Sequence, residues 1–180
     1  MSLKINRDKI QFRTFSITNS VDGIYIDGTF TANGQFVDST FQGSVSGYTS
    51  GGLVPPQSNV IDKFPFSSDT DASDVGDLSQ ARDRISGQSS TISGYTSGGN
   101  TPPDTNVIDK FPFSVDTNAS DVGDLSQSRS EVAGHSSRVS GYVSGGLTPG
   151  PTTVDTIDKF PFSIDGNATD VGNLTQARRL

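Results

Sequence analysis

The residues best suited to chemistry are acids. Asp69, Asp71, Asp74 and Asp77 fall within nine positions, and the pattern returns as Asp116, Asn118, Asp121 and Asp124, then as Asp165, Asn167, Asp170 and Asn173. Oxygen ligands at alternate positions are what calcium needs. The series departs from an EF-hand loop, because Asp74 stands where that loop requires glycine and no Glu occupies the twelfth position. A hairpin whose Asp and Ser side chains bond the backbone of their own turn explains every residue without an ion. No metal-ligating residue is therefore assigned, and calcium is the one ion these loops would suit.

Aromatic rings are the second candidates. Tyr48, Tyr95 and Tyr142 recur, as do Phe64, Phe66, Phe111, Phe113, Phe160 and Phe162. Exposed rings stack on sugars, but one ring at the same place in every copy is what packing between repeats requires. A chain this lean in apolar residues needs its rings inside. Lys63, Lys110 and Lys159 alternate with the rings and read as solvated edges. His135, the single histidine, stands where Gln88 does in the preceding copy, with no nucleophile and orienting acid beside it. Gly87-Gln88-Ser89-Ser90 lacks the Gly-x-Ser-x-Gly of a nucleophile elbow. Carboxylates are numerous enough for a glycosidase pair, yet every acid is echoed in each copy whereas a catalytic site is singular. No catalytic or cofactor-binding residue is assigned, and the chain is expected not to be an enzyme.

Composition narrows the field further. The 180 residues are 31% hydrophobic and include 20 glycines, so any core must be thin and repetitive. The absence of cysteine excludes a disulfide scaffold, a thiolate zinc site and a cysteine nucleophile. A net charge of −7 disfavours nucleic acid, whose phosphates need a basic face. No apolar run reaches the length of a membrane span, and the first residues, Met1 to Lys9, lack the apolar stretch of a secretory signal.

The elements that position these residues are repeats. Gly47-Tyr48-Thr49-Ser50-Gly51-Gly52 returns at Gly94–Gly99 and Gly141–Gly146, both at a step of 47. Ile61-Asp62-Lys63-Phe64-Pro65-Phe66 returns at Ile108–Phe113 and Ile157–Phe162, the last step lengthened to 49 by two extra residues within Leu147–Thr153. Asp74-Val75-Gly76-Asp77-Leu78 returns at Asp121–Leu125 and Asp170–Leu174. No stretch has helical apolar spacing, and Gly, Pro, Ser, Thr and Asp interrupt every run. Four short strands per copy remain, expected in the second copy near Arg84–Ser89, Thr91–Ser97, Asn106–Phe113 and Val122–Gln127. Four strands in about 47 residues is the size of one propeller blade.

A Gly-Gly pair ending the second strand, followed by an acidic-aromatic third strand and a short fourth, resembles a kelch-type blade. The loops Ser67-x-Asp69-x-Asp71-x-Ser73, Ser114-x-Asp116-x-Asn118-x-Ser120 and Ser163-x-Asp165-x-Asn167-x-Thr169 resemble an Asp-box, with Asn or Asp in place of its glycine. The tryptophan of both families is absent, and Val75, Val122 and Val171 stand nearest its place. The whole motif string over residues 45–180 is similar to repeats in structural proteins of tailed phages, notably those of marine cyanobacteria. That resemblance implies a virion component: a tail fibre, a knob or a capsid decoration.

The expected architecture is all-β: a short N-terminal β segment over 1–35, then a kelch-like array over 36–180 in three units, about 36–83, 84–130 and 131–180. In the N-terminal segment Asp22-Gly23, Asp27-Gly28 and Asn33-Gly34 read as hairpin turns, and its resemblance is to a fibre's attachment segment. Phe36–Ser44 would supply the first strand of the first unit. Three blades are too few to close a ring alone, so the partner expected is the chain itself. Two copies would make a six-bladed ring, and three a fibre head. The alternative is a self-closed three-fold fold, a β-trefoil or β-prism. The functional expectation is a non-enzymatic virion protein bound to other virion proteins and in contact with the host surface. It inserts in no membrane and binds no nucleic acid. Its first alternative is a carbohydrate-binding module that takes a host glycan, and its second a glycosidase. Variable turns at Leu53–Ser58, Asn100–Thr105 and Leu147–Asp155 would carry specificity.

Overall fold

The computed structural model describes residues 45–180, together with the backbone of four two-residue strands nearer the N-terminus. Those are β1 (Asn19–Ser20) paired with β2 (Gly23–Ile24), and β3 (Thr29–Phe30) paired with β4 (Phe36–Val37). Both pairs are antiparallel, and the turns expected at Asp22, Asp27-Gly28 and Asn33-Gly34 lie outside the described residues. Phe36 and Val37 pair back onto Thr29–Phe30. The rest of the strand expected at Phe36–Ser44 lies outside the described residues. The chain divides into two compact units, Met1–Phe41 and Gln42–Leu180.

The second unit is built from antiparallel meanders. The first repeat contributes β5 (Ser46–Ser50), β6 (Val60–Pro65) and β7 (Ser73–Asp77) in that order. The second forms a complete four-stranded sheet, β8 (Ser86–Ser89), β9 (Ser93–Ser97), β10 (Val107–Pro112) and β11 (Ser120–Asp124). In the third repeat β12 (Ala133–Ser136) and β13 (Ser140–Ser144) come first. The extra residues then fold into a small ribbon, β14 (Leu147–Thr148) with β15 (Thr152–Thr153). Finally β16 (Thr156–Pro161) and β17 (Thr169–Asn173) complete its four-stranded sheet. The strands fall within a few residues of the expected positions, the fourth beginning two residues early at Ser120. Among the described residues there is no helix, hence none that is long and apolar enough to cross a membrane.

Register explains the repeated motifs. In each sheet the Gly of Gly-Tyr faces the first Phe of Lys-Phe-Pro: Gly47 with Phe64, Gly94 with Phe111, Gly141 with Phe160. The Phe ring lies across the glycine, where a Cβ at Gly94 would sit 2.3 Å from the ring. Tyr and Lys face each other one residue on, as Tyr95 does Lys110. A ladder slip follows Ile61, Ile108 and Ile157, beside the motif's aspartate. Such bulges re-aim side chains.

The core lies between sheets rather than inside them. Ile61, Leu78 and Phe111 are buried with Tyr48, Val75, Ile85, Phe113 and Ala119 packed against them, which joins the first repeat to the second. Tyr95, Ile108, Leu125, Val132, Val143, Phe160 and Ala168 do the same for the second and third. These two seams run in series. A self-closed three-fold fold would add a seam from the third repeat to the first, and among the described residues no hydrogen bond or ion pair makes one.

Gly123 measures how tightly a seam is closed. It has φ of +155° and a Cβ there would lie 2.3 Å from the Gly166 carbonyl oxygen, whereas Gly172 has φ of +149° and, among the described residues, nothing within 4 Å. Gly123→Ala is expected to cost well over about 1 kcal/mol, and Gly172→Ala clearly less. Urea unfolding of both variants, in solutions dilute enough to keep copies of the chain apart, checks the difference; equal costs there would mean that backbone strain, not the seam, sets the penalty.

Candidate functional site

The candidate site is the seam itself, because that is where the recurrent polar residues converge. After the last strand of the first and second repeats the chain runs on to the next sheet and delivers an arginine. Arg82 Nη2 donates to Asp109 Oδ2 at 3.0 Å and to the Thr96 carbonyl at 3.1 Å. Arg129 Nη2 repeats this with Asp158 Oδ2 at 2.8 Å and the Val143 carbonyl at 3.1 Å. All four charged side chains are 0% exposed. Burial pulls both guanidinium pKa values down, and the facing aspartate opposes that. The same Oδ2 atoms accept the backbone N–H of Ser79 and Ser126, each at 2.9 Å. Asp109 Oδ1, Asp158 Oδ1 and both Nε atoms are buried without a hydrogen-bond partner.

Four further contacts repeat across both seams. Lys63 Nζ donates to Asp116 at 2.9 Å, and Lys110 Nζ to Asp165 at 2.8 Å. The N–H groups of Asp77 and Asp124 donate to Asn118 and Asn167 Oδ1, each at 3.1 Å. The Ala119 and Ala168 N–H groups donate to the Asp77 and Asp124 carbonyls at 2.8 and 2.7 Å. Tyr48 stacks on Phe113 and Tyr95 on Phe162, ring centroids 5.0 Å apart in both cases. The arginine also anchors a strap: its carbonyl accepts from Gly52 or Gly99 of its own repeat, and the next residue pairs with Asn100 or Leu147 of the following one.

The acidic loops therefore split into two roles. Asp74, Asp121 and Asp170 accept from the N–H two residues on, which is the self-bonded turn expected from the sequence. Asp116 and Asp165 reach the preceding repeat instead. Among the described residues no three His, Asp or Glu side chains gather as a metal site. Lys63 and Lys110 are not simple solvated edges, since each clasps an acid of the following repeat. Lys159 lies over its own Tyr142 ring at 5.8 Å. His135 Nε2 is 3.1 Å from Ser144 Oγ. Sequence reasoning passed over Arg82 and Arg129. Their signal was available: Gln-Ala-Arg82, Gln-Ser-Arg129 and Gln-Ala-Arg178 recur in step with the other motifs.

A cavity of about 280 Å³ opens along the first seam, lined by Tyr48, Gln88, Tyr95, Thr96, Phe113 and several serines. No known family model matches the chain, and no curated protein does. Fold and seam together define an all-β protein of stacked antiparallel sheets, clasped in series by buried ion pairs.

Two predictions follow from the clasp. Arg129→Met leaves Asp158 buried and unpaired, and is expected to cost about 3–5 kcal/mol, against at most about 1 kcal/mol for Lys110→Met at the half-exposed pair; urea midpoints compare them. Alkaline pH tests the rest of the seam. The hydrogen bond to Asp165 raises Lys110 above its ordinary 10.5, and burial raises Tyr95 above 10.0. Both groups hold their protons longer folded than unfolded. Their contribution is complete below those ordinary values and lost as pH climbs through the raised ones. Melting temperature should fall above about pH 10, and less steeply in a Lys110→Met, Tyr95→Phe double variant.

Proposed function

We propose that the chain is a non-enzymatic structural protein of a tailed-phage virion, a fibre, knob or decoration element, whose repeats are kelch-like blades. The observation that carries this reading is that the recurrent acids, cations and rings are engaged in holding one sheet to the next. The Arg82–Asp109, Arg129–Asp158 and Lys110–Asp165 pairs and the Tyr95–Phe162 stack all serve that contact. The motif string similar to phage structural repeats supports it. The blade reading is supported by the close approach of first strands: Ser89 N–H donates to Ser136 Oγ at 2.9 Å, and a Cβ on Gly134 would lie 2.5 Å from the Gly87 carbonyl oxygen. Inner strands of a propeller converge in this way. Further copies of the chain complete the array, and two would make six blades.

The cavity on the first seam favours one second reading, a carbohydrate-binding module. Its tyrosines offer stacking faces, and Gln88 and the serines offer hydrogen bonds. Two measurements separate the readings. Antibody raised against the chain is expected to label purified virions of a phage that encodes it; particles that lack the chain by mass spectrometry would contradict the virion role. On a glycan array, saturable binding that disappears in Gln88→Ala would establish the receptor reading instead.

A further inference from the structure

The two seams inside the chain are one interface used twice, and each half of that interface is displayed again at an end of the array. The third repeat carries the outgoing half. Arg178 corresponds to Arg82 and Arg129, and the strap contact identifies it independently, since its carbonyl accepts from Gly146 as those of Arg82 and Arg129 accept from Gly52 and Gly99. Its side chain is exposed and meets no carboxylate among the described residues. Lys159, Tyr142 and Gly172 correspond to Lys110, Tyr95 and Gly123. The first repeat carries the incoming half. Asp62 corresponds to Asp109 and Asp158, and among the described residues no arginine reaches it. Asp69 corresponds to Asp116 and Asp165. Phe64 and Phe66 pack edge-on against each other and remain 37% and 55% exposed, whereas Phe111 and Phe160, the counterparts of Phe64, are buried.

We infer that the outgoing face of the third repeat docks on the incoming face of the first repeat of a second copy, head to tail, with Arg178 entering the Asp62 socket. This rests on the self-association proposed above and supplies its interface. The seam geometry assigns the other pairs: Lys159 to Asp69, Tyr142 over Phe66, the Thr175 N–H to Asp62, and the Ala72 N–H to the Asn173 carbonyl. One further contact carries over. In each internal seam the backbone N–H of Asp77 or Asp124 donates to the side-chain oxygen of Asn118 or Asn167. At the ends the outgoing position is Asn173 and the incoming one Asp71. The Asn173 backbone N–H is unchanged as a donor, and an Asp71 carboxylate accepts from it as the asparagine amide oxygen does in the internal seams. The exposed Val171, at 52%, would then be covered as Val122 is. Such a heterologous contact closes into a ring or runs on as a filament, according to the rotation between copies.

Charge reversal tests it on the full 180-residue chain, with mass read by light scattering and folding by circular dichroism. Wild type is expected to exceed the mass of one chain. Asp62→Arg and Arg178→Glu each set like charges together, and each should weaken association roughly a hundredfold or more. An equimolar mixture of the two variants should associate again, because every contact between unlike variants joins opposite charges. Gly172→Ala, whose added Cβ meets nothing among the described residues, should weaken association without a charge change. It keeps the test intact should a reversal unfold the chain. A single-chain mass for wild type would overturn self-association altogether. An associated wild type whose mass none of the three variants changes would overturn this interface and leave self-association standing. Variants that dissociate but do not recover on mixing would overturn the head-to-tail arrangement.

Discussion

A guanidinium pressed against a carboxylate, with both at zero exposure, is the constraint on which the repeat array depends. Each pair takes its arginine from one repeat and its aspartate from the next, so neither charge is compensated until two sheets meet. Several of the atoms involved remain unsatisfied, and burial of such a pair is costly in desolvation. Its value is therefore more in register than in net stability. An apolar seam would tolerate sliding, because Ile, Val and Phe match one another at many offsets. An arginine that finds one carboxylate and a row of carbonyls does not.

The surrounding features follow from that placement. The Gly-Gly turn lets the strap carrying the arginine lie against its own second strand: a Cβ on Gly98 would sit 2.6 Å from the Arg129 carbonyl oxygen. The bulge after Ile108 stands beside the receiving aspartate. The fourth-strand glycines allow the next repeat's acidic loop to touch backbone, so that its acid and amide reach back to Lys110 and to the Asp124 N–H. Apolar packing is thin, as a composition of 31% hydrophobic residues requires, and is concentrated between sheets, where each ring serves two repeats.

Much of this was legible in the sequence, for reasons that differ from residue to residue. The three units and their strands declare themselves through the glycine and aspartate punctuation at a fixed step. The packing role of Tyr95 and Phe160 follows from one ring per copy, and the self-bonded turns of Asp74 and Asp121 from local chemistry. What stayed hidden is what couples residues far apart in the chain. Arg82 and Asp109 look like ordinary surface charges, because recurrence marks them as part of the repeat without marking them as buried. Lys110 reads as solvated for the same reason, since its partner Asp165 lies 55 residues away. The repeat does show that these residues recur, but only the stacking of sheets shows whom they meet.

The claim that ion-paired seams fasten the sheets is tested most directly by native-state hydrogen exchange at amides that donate across a seam. These are the amides of Ser79, Ala119, Ser126 and Ala168. The account predicts protection at all four comparable with that of the strand amides in β10 and β16, because opening them requires neighbouring repeats to part. Exchange there at the rate of surface turns, while the strands stay protected, would contradict it and would mean that each sheet stands independently of its neighbours.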